Sequence, residues 1–215
     1  MRCVWVQCAV ALACAAVVSN FPALGADVSS WRISPSAVFL DSPESTQQLL
    51  ITSVKGERAE DLTRLVSYES ADSKIAVVTP EGRILPRGEG VTEILIQHEE
   101  TGTRVPVEIR GLTSPAPVSF RYEVLPILSK AGCNSGGCHG KAEGQNGFKL
   151  SIFGFDPETD HEALAKQGRA RRVSLVAPRN SLLLRKATGE TPHGGGGRIE
   201  KDSLWYRRIE RWVAE

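Results

Sequence analysis

The stretch Cys133-Asn134-Ser135-Gly136-Gly137-Cys138-His139-Gly140 constrains this chain more than any other, because two thiols followed directly by an imidazole must converge to be of use. Covalent haem attachment needs that order: the two cysteines form thioethers to the porphyrin, and the adjacent histidine is held under the iron as the proximal ligand. Four residues separate the cysteines where two are usual. Gly136 and Gly137 make the intervening loop pliable, so the backbone can bulge and still present both sulfurs to one macrocycle edge. Two other uses fit the same residues. A Cys133–Cys138 disulfide would close a short loop and leave His139 an ordinary polar side chain, and the same donors suit zinc or another metal.

The first residues read as an address. Arg2 precedes an apolar run over 4–18, and Ala23-Leu24-Gly25-Ala26 offers small residues for cleavage, so 1–26 reads as a secretory signal peptide. The run is shorter than the roughly 20 apolar residues of a membrane helix, and no span is expected once the leader is removed. Cleavage takes Cys3, Cys8 and Cys14 with it and leaves Cys133 and Cys138. The expected location is outside the cytoplasm, in the periplasm or at the cell surface. That compartment favours disulfides and is also where haem is attached, so it does not separate the two readings.

A formal net charge of +1 over 215 residues lacks the basic excess of a nucleic-acid binder. The charge is uneven: 27–132 holds 11 Lys/Arg against 15 Asp/Glu, whereas 133–215 holds 14 against 10. Two solvated surfaces account for this, and a basic face that docks an acidic partner is the alternative.

Over 27–112 short β-prone runs alternate with turn residues, and no helical period is sustained. Strands are expected at 31–34, 38–40, 47–53, 63–68, 75–78, 83–85, 91–97 and 104–109, broken by Thr79-Pro80-Glu81-Gly82 and Arg87-Gly88-Glu89-Gly90. Eight strands in so short a span predict an all-β sandwich with Ile94 and Ile96 pointing inward. His98, at a strand end, is expected on the surface. The stretches 48–52, 61–63, 68–78 and 82–90 resemble the group 2 bacterial immunoglobulin-like domain, which implies a spacer or adhesive unit without catalytic residues.

Thr113-Ser114-Pro115-Ala116-Pro117 reads as a stiff linker over 113–117. Beyond it the period becomes helical: Phe120, Val124, Ile127 and Leu128 share a face, and Pro126 is best tolerated near a helix start. Phe148, Leu150, Ile152 and Phe153 could wall a porphyrin or fill a small core. A short helix over 160–166 is expected to carry an exposed His161. Arg169, Arg171 and Arg172 are either solvated or placed to pair with carboxylates of a ligand or partner. Asn180 or Ser181 should cap one further helix. Asp202 and Ser203 should open another, with Leu204, Trp205, Ile209, Trp212 and Val213 as its apolar stripe.

Met1 is the only methionine, so a thioether cannot complete an iron site. His193, in Pro192-His193-Gly194-Gly195-Gly196-Gly197, is the candidate distal ligand: proline fixes the approach and the glycines allow backbone close to a flat group.

The segments 133–140, 147–156, 181–189 and 192–196, followed by Tyr206 and Trp212, resemble the cytochrome-c-like domain of planctomycete-type exported proteins. The resemblance covers 118–215. It implies one covalent haem c on Cys133 and Cys138 with His139 as axial ligand. Chains of that family run on into large further domains, so this one, ending at Glu215, is expected to be a fragment or truncated product. The resulting expectation is an all-β immunoglobulin-like sandwich followed by a mainly α cytochrome-c-like haem domain. Its role would be electron transfer to a redox partner protein. A small redox or peroxidase-like enzyme with an open iron position is a lesser reading, because no distal acid–base pair stands near the motif. The alternative is a non-haem cell-surface interaction protein with a Cys133–Cys138 disulfide.

Overall fold

The computed structural model describes residues 30–215, and the expected leader over 1–26 lies outside them. Ten strands occupy 30–109: β1 Ser30–Ser34, β2 Val38–Leu40, β3 Gln47–Gln48, β4 Leu50–Lys55, β5 Arg58–Asp61, β6 Ser67–Ser70, β7 Ala76–Val78, β8 Arg83–Pro86, β9 Gly90–His98 and β10 Thr101–Ile109. They form three sheets, in the orders β1-β4-β5, β2-β10-β9-β6 and β3-β8-β7. This corrects the expected sandwich of two sheets.

The cause is visible at Leu49. The run expected as one strand over 47–53 breaks there, because the fully buried Leu49 donates its N–H to the Gly82 carbonyl at 2.9 Å. One residue later Leu50 pairs with Ser34 in a different sheet. The three sheets share one core. The β9–β10 hairpin supplies Ile94, Ile96, Val105, Val107 and Ile109 by strict alternation, with Val105 opposite Ile94 and Val107 opposite Thr92.

Strand β5 escaped the sequence reading because Arg58-Ala59-Glu60-Asp61 is exposed throughout and has no apolar face. Its register comes from the turn instead. Lys55 pairs with Arg58 across a two-residue hairpin whose first central residue, Gly56, has φ 59°.

Residues 118–215 do not form the expected mainly α cytochrome-c-like domain. Their α-helices are α1 Leu125–Lys130, α2 Pro157–Ala165, α3 Leu182–Ala187 and α4 Leu204–Ala214, the longest of them 11 residues, joined by long irregular segments. Thirteen of the chain's 20 glycines fall in this half and break the helical pattern. Proline sits in the first turn of α1 and α2 and of the 3₁₀ turn Pro178–Asn180, where its missing N–H costs least.

A second core holds the half together: Tyr206, Ile209 and Val213 of α4 against Leu128, Leu150, Leu164 and Leu184. Tyr206 is 2% exposed, whereas Trp205, expected in the apolar stripe, is 38% exposed.

The two halves are docked rather than spaced. Glu44, whose side chain is 7% exposed, pairs with Arg208 Nε at 3.3 Å and Arg211 at 3.0 Å, both on α4. Arg208 also donates to Ser42 Oγ at 3.0 Å and pairs with Glu123. The linker is pinned at both ends: Glu89 Oε1 accepts the N–H groups of Leu112 and Thr113 at 2.8 and 3.1 Å, and the Ala116 carbonyl accepts from Arg211 at 2.8 Å.

Candidate functional site

The Cys133–His139 stretch begins where α1 ends. Cys133 N–H donates to the Leu128 carbonyl at 2.9 Å, so the first thiol is placed by the last turn of the helix. The loop then closes on itself: Cys138 N–H bonds Ser135 O, and His139 N–H bonds Cys133 O, each at 3.0 Å. The long spacing between the cysteines is thereby folded into a tight turn that returns His139 to Cys133. Asn134 is completely buried at its centre and donates to Ser129 Oγ at 2.8 Å.

His139 is clamped from the segment that follows. Its carbonyl accepts Leu150 N–H at 2.8 Å, and its Nδ1 lies 3.1 Å from the Phe148 carbonyl oxygen. A carbonyl can only accept, so Nδ1 carries the proton and Nε2 keeps its lone pair. Burial holds His139 below the ordinary histidine range, against the raising effect of the Phe148 bond, with His193 and Arg172 adding smaller lowering effects. The imidazole is therefore neutral at pH 7, the form that binds a metal.

His193 is prepared in the same way from the other side. Its Nδ1 lies 2.9 Å from the Gly196 carbonyl, and Gly196 N–H returns a bond to His193 O at 2.9 Å. The loop is tied to α3 through Thr191 N–H to Arg185 O at 3.1 Å and through Lys186 Nζ to Pro192 O. A Cβ on Gly195 would stand 3.1 Å from His193 Cε1, so the glycine leaves the ring its place.

The two imidazoles meet across a cleft. Their planes differ by 8° and their centroids are 6.2 Å apart. The cleft, of about 180 Å³, is lined by Leu128, Cys133, Phe148, Leu150, Leu164 and Leu183 beside the two histidines, with Arg171, Arg172 and Lys186 among its polar residues. That volume is below the roughly 300–1,000 Å³ of small-molecule sites.

Cys133 and Cys138 are half-buried and not bonded to each other. Burial, with Cys138 nearby, pushes the Cys133 thiol up to about 11. Cys133 lines the cleft and Cys138 does not. The zinc reading lacks donors: among the described residues no three His, Cys, Asp or Glu side chains gather as a metal ion would need.

Several expected residues lie elsewhere. Phe148 and Leu150 wall the cleft, but Ile152 and Phe153 are 50% and 69% exposed. His161 packs edge-on against Phe120 and Trp212 at 5.2 and 5.8 Å and is no ligand candidate. Arg169 stays outside the cleft, whereas Arg172 is buried beside it. Ser181 precedes α3 without capping it; its hydroxyl accepts Ser174 N–H at 3.0 Å. No single-residue signal in the sequence marked Arg172 apart from Arg169 and Arg171.

No family model and no curated protein matches the chain. Among solved structures it is similar to domains 4 and 5 of the S-layer protein SbsC (18% identity, TM-score 0.33, 39% of this chain and 53% of that one). Domains 5–6 of SbsC give 19% identity and a TM-score of 0.34 over 43% and 47%. A longer SbsC structure, rSbsC(31-844), gives 18% and 0.35 over 43% and 14%. The chain thus spans about half or less of each neighbour, and likeness at this level carries no functional argument. Among the described residues no helix is long and apolar enough to cross a membrane.

Proposed function

We propose that residues 118–215 form an exported c-type haem module for electron transfer, carried on the β-unit of 27–112. Cys133 and Cys138 would be the thioether attachment sites, His139 the proximal and His193 the distal iron ligand. The observation that carries this reading is the pair of near-parallel imidazoles 6.2 Å apart, each with Nδ1 committed to a backbone carbonyl. Haem c, when bound, supplies a one-electron iron couple. The protein's part is to hold two imidazoles with Nδ1 turned to a backbone carbonyl, present a thiol from the wall, and keep the cleft apolar.

Were His139 and His193 both to hold the iron, the residues present would leave it no place for oxygen or peroxide. Transfer of electrons to a partner protein fits this arrangement better than catalysis does. A bis-histidine site also has a lower reduction potential than a His/Met one, since a thioether favours the reduced metal.

The test is expression with a haem-attachment system, followed by acid-acetone extraction and a visible spectrum. A Soret band that stays with the protein is expected. Two free thiols in reduced, denatured protein and no pigment would overturn the proposal and leave a two-unit exported interaction protein.

A further inference from the structure

Arg172 is the one guanidinium buried at the cleft: the residue is 6% exposed. Its Nη1 donates to the carbonyls of Ala163 and Gln167 at 2.8 and 3.0 Å, and its Nη2 to the Gly147 carbonyl at 2.9 Å. No carboxylate of the described residues pairs with it, although buried charges in proteins are normally paired. The guanidinium carbon stands 4.5 Å above the centre of the Phe148 ring. That ring lies 4.5 Å from the His139 ring, and the Phe148 carbonyl accepts the His139 Nδ1 proton. One cation therefore ties the 147–148 backbone and ring to α2 and, through them, fixes His139.

We infer that Arg172 is a positioning residue for His139 and, as a fixed positive charge without a counter-ion, raises the reduction potential of the metal couple held between His139 and His193. The inference rests on the haem reading above. The physical reason is that oxidation adds a positive charge to the site, and a nearby cation in a low-dielectric setting opposes it. Arg172 thus offsets part of the lowering that two histidine ligands impose.

The test uses the loaded protein for potential and the unloaded protein for tautomer. Arg172→Met should shift the midpoint potential downward, and Arg172→Lys, which keeps the charge, should stay closer to the parent. In unloaded protein at a pH where His139 is neutral, ring nitrogen NMR should show one Nδ1–H tautomer for the parent and a mixture for Arg172→Met. If Arg172→Met does not fold, Gln145→Glu puts a carboxylate on the cleft wall without removing the arginine; it too should lower the potential. An unchanged potential in the folded variant, or an unchanged tautomer pattern, overturns the inference. Absence of pigment in the parent protein is a different result and sinks the haem reading itself.

Discussion

Replacing Gly140 by alanine isolates what the residue after the histidine does. A Cβ there would overlap the Asn134 carbonyl oxygen and stand 2.9 Å from the Ser135 carbonyl oxygen. Both are backbone atoms, so no side chain can swing aside. Relief requires the 133–140 turn to open, breaking the bonds from Gly140 N–H to Ser135 O and from His139 N–H to Cys133 O, each 3.0 Å. Two such bonds contribute about 1 kcal/mol each, overpacking adds about 1–3 kcal/mol, and restriction of the unfolded chain returns about 0.4–1 kcal/mol, so the net loss is about 3 kcal/mol. Gly137→Ala is the matched control, because a Cβ there meets nothing within 4 Å. It should be neutral or slightly stabilising. Urea unfolding followed by tryptophan fluorescence reads the difference, since Trp205 and Trp212 both report on α4. Variants that agree within about 0.5 kcal/mol would refute the packing argument, since that is the scatter of ordinary surface changes.

Glu44→Ala leaves Arg208 and Arg211 without their shared carboxylate. Because Arg208 keeps Glu123 and Ser42, the expected cost is about 2–3 kcal/mol, at the low end for a broken buried pair; denaturation should show the β-unit and the second half melting apart. His193→Ala should convert a low-spin spectrum of the loaded protein to high-spin, and an unchanged spectrum would remove His193 from the ligand set. Burial, with Asp61 nearby, pushes the Tyr68 hydroxyl up to about 12. Its contribution to stability is therefore complete below pH 10 and lost as pH rises through about 12, which phenolate absorbance and melting temperature follow together.

What could be read from the sequence was whatever rests on local pattern. The β9–β10 alternation, the helix start near Pro126 and the serine at the head of α4 are all local, and Ser203 does accept Tyr206 N–H at 3.3 Å. His139 and His193 were singled out by their local settings, and the structure brings their rings to 6.2 Å. Features fixed by distant partners were not. Leu49 breaks a strand because Gly82 waits in another sheet, and the expected strand over 63–68 starts only at Ser67. Thr63 is diverted earlier: its hydroxyl accepts Ile51 N–H at 2.9 Å. The helical period after residue 118 suggested a mainly α domain, but periodicity does not report how much chain the glycines withdraw from helix. Among the three arginines only burial separates Arg172 from its neighbours.

The site's two halves are each tied to the backbone by hydrogen bonds. His139 is set by the end of α1 and the 148–150 segment, His193 by the end of α3 and its own glycine turn. A protein that must gather its donors around a metal spends binding energy on ordering them; on the haem reading, the backbone hydrogen bonds at His139 and His193 would meet that cost. Folding and loading should therefore be only loosely coupled. The unloaded protein should unfold cooperatively, with both cores intact, and loading should raise its melting temperature through added binding free energy rather than create the fold. An unloaded chain whose second half is unfolded, while its β-unit stays native, would show that the imidazoles are gathered by the ligand after all.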